Sequence, residues 1–527
     1  MFCTTFGVVQ KYIWGNVFVM EFHADTADTL LWANADLENG GPFKPSMDYA
    51  YKLIFGGQWL FMPFIKLFGI SLLTQRCSMS FFSVLFAIVL IFFFKSMDFS
   101  NSLSFLSTAI MLTSVCITKK TREIYYSHII HYSLAVFYFM LAFIFFQNVL
   151  RKNNLKTSIC CYTAILMMCS INGLTNTLYV SVPILAACLI EFCLNKNKTV
   201  LTLFIITIIS IIPSLILTYS GKLDTGYVDN YYNLAKQSVW TEQLMKFPVL
   251  WLSLFNDYAR EEAAVTTEIG LKSLVYTFTG LFTFIGFMVS SKNIALEKDA
   301  GKRVFYISTL IMFYIVLFFI VFGKISNANW RLTPVIFSAQ LAIIIQFFSL
   351  FFAKLSSREI ALNHGQSIFS FFIIIFQSII VLFSMIIMKY DETVWFDENG
   401  LLETLRKNNL TYGYTSNYWF GHSLTVLSDN EIKSRKIEWN GTKPILPLYS
   451  TNRDIDWYDD QPNQSEYFLI LNEKEYNEDL DFIKEAQKTF KCYQYDHRNL
   501  EGGNYYVLIY DYNIMKSEYD LLSAKHL

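Results

Sequence analysis

Charge is scarce in this chain. Asp, Glu, Lys and Arg make up 16% of its 527 residues, against roughly 25% in soluble domains. Hydrophobic residues make up 54% and the mean hydropathy is +0.35. The deficit lies in long apolar runs, so a bilayer, not a single water-surrounded core, is their natural solvent. A basic excess is also missing: the net charge is −1, which excludes a nucleic-acid partner held by phosphate contacts. The nine cysteines include no CxxC pair. Most fall in apolar runs (Cys77, Cys116, Cys160, Cys161, Cys169, Cys188, Cys193), and Cys492 lies in the polar tail. That spacing signals neither a disulfide framework nor a thiolate metal cluster. No charged start and small-residue cleavage site frame a signal peptide, and there is no internal repeat or low-complexity linker.

What is present is a series of about ten runs near the length a bilayer requires. They cover 78–95, 102–117, 132–148, 157–173, 176–193, 199–218, 270–290, 304–322, 333–353 and 367–388. Residues 4–20 form a short eleventh that carries Lys11; a longer first helix upstream of Met1 is one reading of it. Phe, at 50 residues, suits lipid-facing surfaces, and Tyr and Trp suit the interfaces. Lys and Arg in the short loops set the orientation. Lys95, Arg151, Lys152, Lys156, Lys196, Lys198, Lys292, Lys298, Lys302, Arg303, Lys354 and Arg358 mark the cytoplasmic side. Segments 20–77, 118–131, 219–269 and 323–332 then lie outside with the tail. The expected fold is a membrane all-α bundle of about ten to eleven spanning helices, residues 1–388, followed by a soluble extracytoplasmic domain, 389–527. In that tail, 398–408 and 477–490 read as helices, 411–437 as short strands, and Tyr467–Leu471 and Tyr505–Tyr512 as strands. The alternation predicts a small α/β or α+β domain.

Chemistry concentrates in the outside loops. In loop one, Asp25 and Asp28 fall where a first span would emerge, spaced to share one helix face. A carboxylate there can act as general base towards a hydroxyl; the bland reading is a helix N-terminus that favours acids. Lys119, Lys120 and Arg122 stand against the positive-inside pattern, and Glu123, His128 and His131 follow them. They form either a basic site with a polar helix end or interfacial packing with Tyr125 and Tyr126. A metal at the two histidines lacks further convergent ligands. Arg331 enters a late span three residues before Pro334 and either grips a phosphate or snorkels to headgroups. Tyr227, Tyr231, Tyr232, Trp240 and Trp251 in loop 219–269 suit sugars or an interfacial helix alike; the aromatics of the tail (Tyr412, Tyr414, Tyr418, Trp419, Trp439, Trp457, Tyr458) invite a carbohydrate-binding reading, but core packing of a small β-rich domain explains most of them. Asn409, Asn440 and Asn463 sit in Asn-x-Ser/Thr triplets.

Asp25, Ala33, Gly40, Pro63, Phe68, Gly69, Ser71 and Arg76 together follow the loop-one pattern of the C-type (GT-C fold) membrane glycosyltransferases, and the chain most resembles their protein O-mannosyltransferase and lipid A aminoarabinose transferase branch. Members usually carry an Asp-Glu pair where this chain has Asp25-Thr26, with Asp28 the next acid, so either aspartate fits as base. The usual Lys-Pro-Pro is replaced by Gln58–Pro63. The resemblance implies transfer of a sugar from a polyprenyl-phosphate donor to a glycan, lipid or protein acceptor, in the plasma membrane and on its outer face. It implies Asp25 or Asp28 as base in a single displacement and Arg331, aided by the Lys119–Arg122 cluster, as phosphate grip. Some members need a divalent metal and others none, so a metal cofactor stays open. A transporter or flippase of a lipid-linked sugar is the alternative, and a non-catalytic receptor with a glycan-binding tail is a third. Ionisable groups clustered in loops rather than in spans favour interfacial chemistry over a transmembrane pathway.

Overall fold

The computed structural model describes residues 1–114, 118–220, 233–255, 264–324, 329–357, 365–386, 400–440, 443–446, 452–478, 480–496 and 501–526. Among them, seven helices are long and apolar enough to cross a membrane: Leu72–Ser96, His131–Leu150, Leu174–Asn195, Lys198–Leu217, Gly270–Leu296, Ala300–Phe322 and Asn329–Phe348. Asn101–Ser114, Leu155–Ile171 and Gly365–Ile386 are helical as well. Each of the ten expected runs is therefore helical over its described residues, and the chain is a multi-pass membrane protein. The eleventh run is broken into Phe2–Trp14 and Asn16–Met20 by extended Gly15. A Cβ at Gly15 would stand 2.6 Å from the Lys11 carbonyl, so the break requires glycine.

The helices pack through aromatic side chains. Phe86, Tyr125 and Phe337 cluster with ring centroids 5.4–5.9 Å apart, and Phe305 meets Phe93, Phe139 and Phe143 at 5.2–5.7 Å. Aliphatic and Phe side chains such as Phe92, Ile209, Ile216 and Phe376 face outward, as lipid-facing surfaces do. At one end of the bundle Arg303 grips buried Glu191 with two nitrogens, Nε at 2.9 Å and Nη2 at 2.5 Å.

The tail is built on a five-stranded sheet. Beside the short strands β1 (Met47–Asp48), β4 (Glu438–Trp439), β5 (Pro444–Ile445) and β6 (Arg453–Asp454), its strands in chain order are β2 (Tyr412–Thr415), β3 (Lys433–Lys436), β7 (Tyr467–Asn472), β8 (Lys488–Asp496) and β9 (Glu501–Tyr510), arranged β3-β2-β7-β9-β8. β2 runs parallel to β3 and β7, while β9 is antiparallel to β7 and β8. The period-2 alternation of β7 explains the two faces. Phe468 and Ile470 join one core with Leu405, Phe420 and Leu424, and Tyr467, Leu469 and Leu471 join the other with Tyr412 and Tyr458.

Two tail segments differ from the sequence reading. Residues 411–437 are not all strand: Tyr418–Leu427 is a helix capped by Asn417, whose Oδ1 accepts from the Trp419 amide at 2.9 Å. It is buried on both flanks, so no exposed polar face marks a helical period. The expected helix 477–490 shrinks to Asp481–Lys484, because Lys488 onward pairs along β9; the ladder overrides local propensity. The boundary expected at 388 and 389 lies outside the described residues, as do Tyr227, Tyr231 and Tyr232.

Candidate active site

The loop-one helix Ala24–Asn39 opens on His23, whose amide donates to the Thr26 hydroxyl at 2.9 Å while that hydroxyl donates back to the His23 carbonyl at 2.6 Å. It closes on Gly40 at φ 68, a left-handed cap that glycine adopts without strain. Gln75 fixes this start: its Nε2 donates to the Thr26 carbonyl at 3.0 Å and to the Ser127 carbonyl at 2.7 Å. The Phe-Gly-x-Ser-x-x-x-x-Arg stretch proves to be a framing device. Gly69 turns at φ 67, Ser71 caps the Leu72–Ser96 helix, and Arg76 Nη2 donates to the Gly15 carbonyl at 3.2 Å.

Asp25 and Asp28 share a face, as expected, but their settings differ. Asp25 is partly exposed and Asp28 is buried. Three side chains from the tail meet Asp28. His422 Nδ1 lies 2.7 Å from its Oδ1, Tyr418 Oη lies 3.0 Å from its Oδ2, and Asn452 Nδ2 also donates to Oδ2. Tyr418 Oη lies 2.8 Å from Asp25 Oδ1 as well. The orientation of Asn452 is fixed from behind: its Oδ1 accepts from Trp32 Nε1 at 3.0 Å and from the Ala50 amide at 3.1 Å. Both of those are donors only, so the amide NH2 must face Asp28. Burial pushes the Asp28 carboxyl above its usual range, and the His422 contact opposes this without cancelling it. The tail helix Tyr418–Leu427 packs against the loop-one helix here.

A two-stranded clip closes the seam. β1 (Met47–Asp48) pairs antiparallel with β6 (Arg453–Asp454), Arg453 Nε donates to Asp48 Oδ2 at 2.7 Å, and Lys44 Nζ to Asp454 Oδ2 at 2.6 Å.

Behind Asp25 runs a buried polar chain. His23 Nε2 lies 3.2 Å and His128 Nε2 3.7 Å from Glu123 Oε1, and Lys120 Nζ lies 3.1 Å from the same oxygen. Burial would raise the Glu123 carboxyl, but Lys120 and His23 hold it well below its ordinary range. Glu123 heads a π turn, Glu123–Ser127, a distortion common at functional sites. Lys120 also lies over the Trp330 ring at 5.1 Å. Arg122 pairs with Glu21. Lys119 heads the same short helix, and its side chain lies outside the described residues. His131 is buried between the rings of Tyr51 and Tyr132 and neighbours His128 and Arg331. Arg331 is buried, and its carbonyl accepts from Tyr179 at 3.0 Å. It lines an apolar cavity together with Tyr132, Leu178, Tyr179, Val316 and Phe319. Asp25, Glu123 and His128 are thus brought together, with His131 and Arg331 in the next layer.

His23, Asp25 and Glu123 offer one imidazole and two carboxylates with ligand atoms within 4.8 Å of one another, a donor set that suits a divalent ion such as Zn²⁺ or Mn²⁺. The sequence reading missed His23, Tyr418, His422 and Asn452. A lone His in the apolar run YWFGHSLTVL was the only signal, and its partner lies 394 residues away.

No family model and no curated protein matches the sequence. Among solved structures, the chain is similar to ArnT from Cupriavidus metallidurans bound to undecaprenyl phosphate, with 9% identity, a TM-score of 0.51, and coverage of 96% of this chain and 97% of that one. It is also similar to the apo oligosaccharyltransferase of Archaeoglobus fulgidus at 12% identity and a TM-score of 0.45; 82% of this chain spans 64% of that one. The fold likeness is drawn from the first. Over nearly its whole length, this chain has the GT-C fold of ArnT, a polytopic membrane bundle carrying a small tail sheet.

Proposed function

We propose that this protein is a membrane glycosyltransferase that moves a sugar from a polyprenyl-phosphate donor to an acceptor hydroxyl at the outer face of the cytoplasmic membrane, with the tail on that face. The observation that carries the reading is one polar cluster with an apolar cavity beside it: Asp25, a partly exposed carboxylate at a helix start, groups with His23 and Glu123, and buried Arg331, a neighbour of His131, lines the cavity. The likeness to a structure that holds undecaprenyl phosphate supports the same donor class.

Asp25 is the better base. Asp28 is closed off by Tyr418, His422 and Asn452, whereas Asp25 keeps solvent contact. In a single displacement the acceptor oxygen bonds to the anomeric carbon as its proton passes to Asp25. The bond from that carbon to the phosphate oxygen breaks, and the electron pair leaves with the phosphate, whose charge Arg331 balances. The configuration inverts. Lys120 and Arg122 serve as counter-ions of Glu123 and Glu21 in this reading. His23, Asp25 and Glu123 would hold a divalent metal, which would supply further positive charge for the leaving phosphate.

The test is transfer of labelled sugar from polyprenyl-phosphate donors in membranes bearing the wild type or Arg331→Ala. Transfer by the wild type, lost in the variant, supports the reading; no transfer from any donor, with movement of lipid-linked sugar across vesicles, replaces it with a carrier.

A further inference from the structure

We infer that the tail is part of the aspartate site: Tyr418, His422 and Asn452 are positioning residues that hold Asp28 away from the acceptor and fix Asp25 as the carboxylate that meets it. The inference deepens the glycosyltransferase reading and rests on it for its catalytic half only.

The hydrogen count supports the assignment. Asn452 must present its NH2 to Asp28, because Trp32 and Ala50 occupy its carbonyl end. Its second hydrogen points to Tyr418 Oη at 3.3 Å. Tyr418 therefore accepts from Asn452 and has one proton left to donate, with Asp25 Oδ1 the nearer carboxylate oxygen at 2.8 Å. His422 presents Nδ1 to Asp28 Oδ1 at 2.7 Å, and a carboxylate selects the tautomer with hydrogen on Nδ1. Asp28 thus receives Asn452 and His422, and Asp25 receives Tyr418. One relay, Trp32 to Asn452 to Tyr418 to Asp25, sets the position of the proposed base.

Each member is itself held. Trp419 puts its ring 5.6 Å from that of His23, Lys436 Nζ lies 5.1 Å from the Tyr418 ring, and His422 packs 5.7 Å from the Trp457 ring. Asn452 sits beside the β1–β6 clip, its amide donating to the Asp48 carbonyl at 2.6 Å. A tail that only bound glycan at a distance would need none of these contacts. A proton acceptor displaced by as little as 1 Å can lose about 10²-fold in rate, so positioning has a measurable signature.

Two readouts test this on the full-length protein in membranes. The first is sugar transfer by Tyr418→Phe, His422→Leu and His422→Gln, with kcat and donor KM determined separately. Tyr418→Phe and His422→Leu should lower kcat about tenfold or more while leaving donor KM within about threefold. His422→Gln, whose amide can still donate to Asp28, should recover most of the loss. The second needs no turnover: mapping by mass spectrometry which carboxylates couple to an amine through a water-soluble carbodiimide. In the wild type Asp25 should label and Asp28 should not; in His422→Leu, Asp28 should label too. Wild-type kcat in both Tyr418→Phe and His422→Leu, or equal labelling of the two aspartates in the wild type, overturns the inference. Absence of sugar transfer by the wild type defeats the glycosyltransferase reading alone, and the labelling map still decides whether the tail shields Asp28.

Discussion

His422 Nδ1 lies 2.7 Å from Asp28 Oδ1, across 394 residues of sequence and a seam between the tail and the first loop. The same seam holds Asn452, whose amide donates to Asp28 on one side and accepts from Trp32 and Ala50 on the other. Asn452→Asp puts a second carboxylate against Asp28 where a donor stood. Breaking a buried polar arrangement so that a charge is left uncompensated costs about 3–5 kcal/mol. The expected outcome is a tail released faster by protease than in the wild type. Asn452→Asp cleaved at the wild-type rate would contradict the seam.

Docking should also depend on pH through Asp28. Its carboxyl is held above the ordinary 3.8, first by burial, against the opposing His422. A group whose native value is raised binds more protons in the native state. The stability it contributes is therefore present below 3.8 and lost as pH rises from there through the raised native value. Tail docking, followed by protease release, should weaken with rising pH over that window. Asp28→Asn, with nothing to titrate, should remove that part of the slope; an unchanged slope would assign it to another group.

At one end of the bundle, Arg303 spans both oxygens of Glu191, which is fully buried. Removing one partner of such a pair strands the other, so Glu191→Ala should lose about 3–5 kcal/mol. Thermal unfolding in detergent measures it. Because the pair is remote from the aspartates, folded protein recovered at low temperature should still transfer sugar. A variant as stable as the wild type would mean that water reaches Arg303.

The bundle was legible because apolar runs of bilayer length have no other stable home, and all ten runs read from the sequence are helical over their described residues. Asp25 and Asp28 were legible because a three-residue spacing fixes a shared helix face. Gly40, Gly69 and Ser71 were legible as part of a pattern, and their angles and caps show why the pattern exists. The seam was not legible. Nothing in the spacing of Tyr418, His422 and Asn452 points to loop one, and a helix buried on both flanks, as Tyr418–Leu427 is, carries no period to read. The partners of the basic cluster were not legible either: Lys120 pairs with buried Glu123 and Arg122 with buried Glu21, and Glu21 lies 101 residues from Arg122.

The central claim is that Asp25 takes the acceptor proton. The direct measurement is transfer of labelled sugar from a polyprenyl-phosphate donor by the wild type, Asp25→Asn and Asp28→Asn, each checked for insertion and tail docking. Asp25→Asn should lose about 10²–10⁴-fold in kcat with donor affinity retained, and Asp28→Asn, which disturbs only positioning, should lose less. Asp25→Asn turning over at the wild-type rate, with Asp28→Asn inactive, would contradict it.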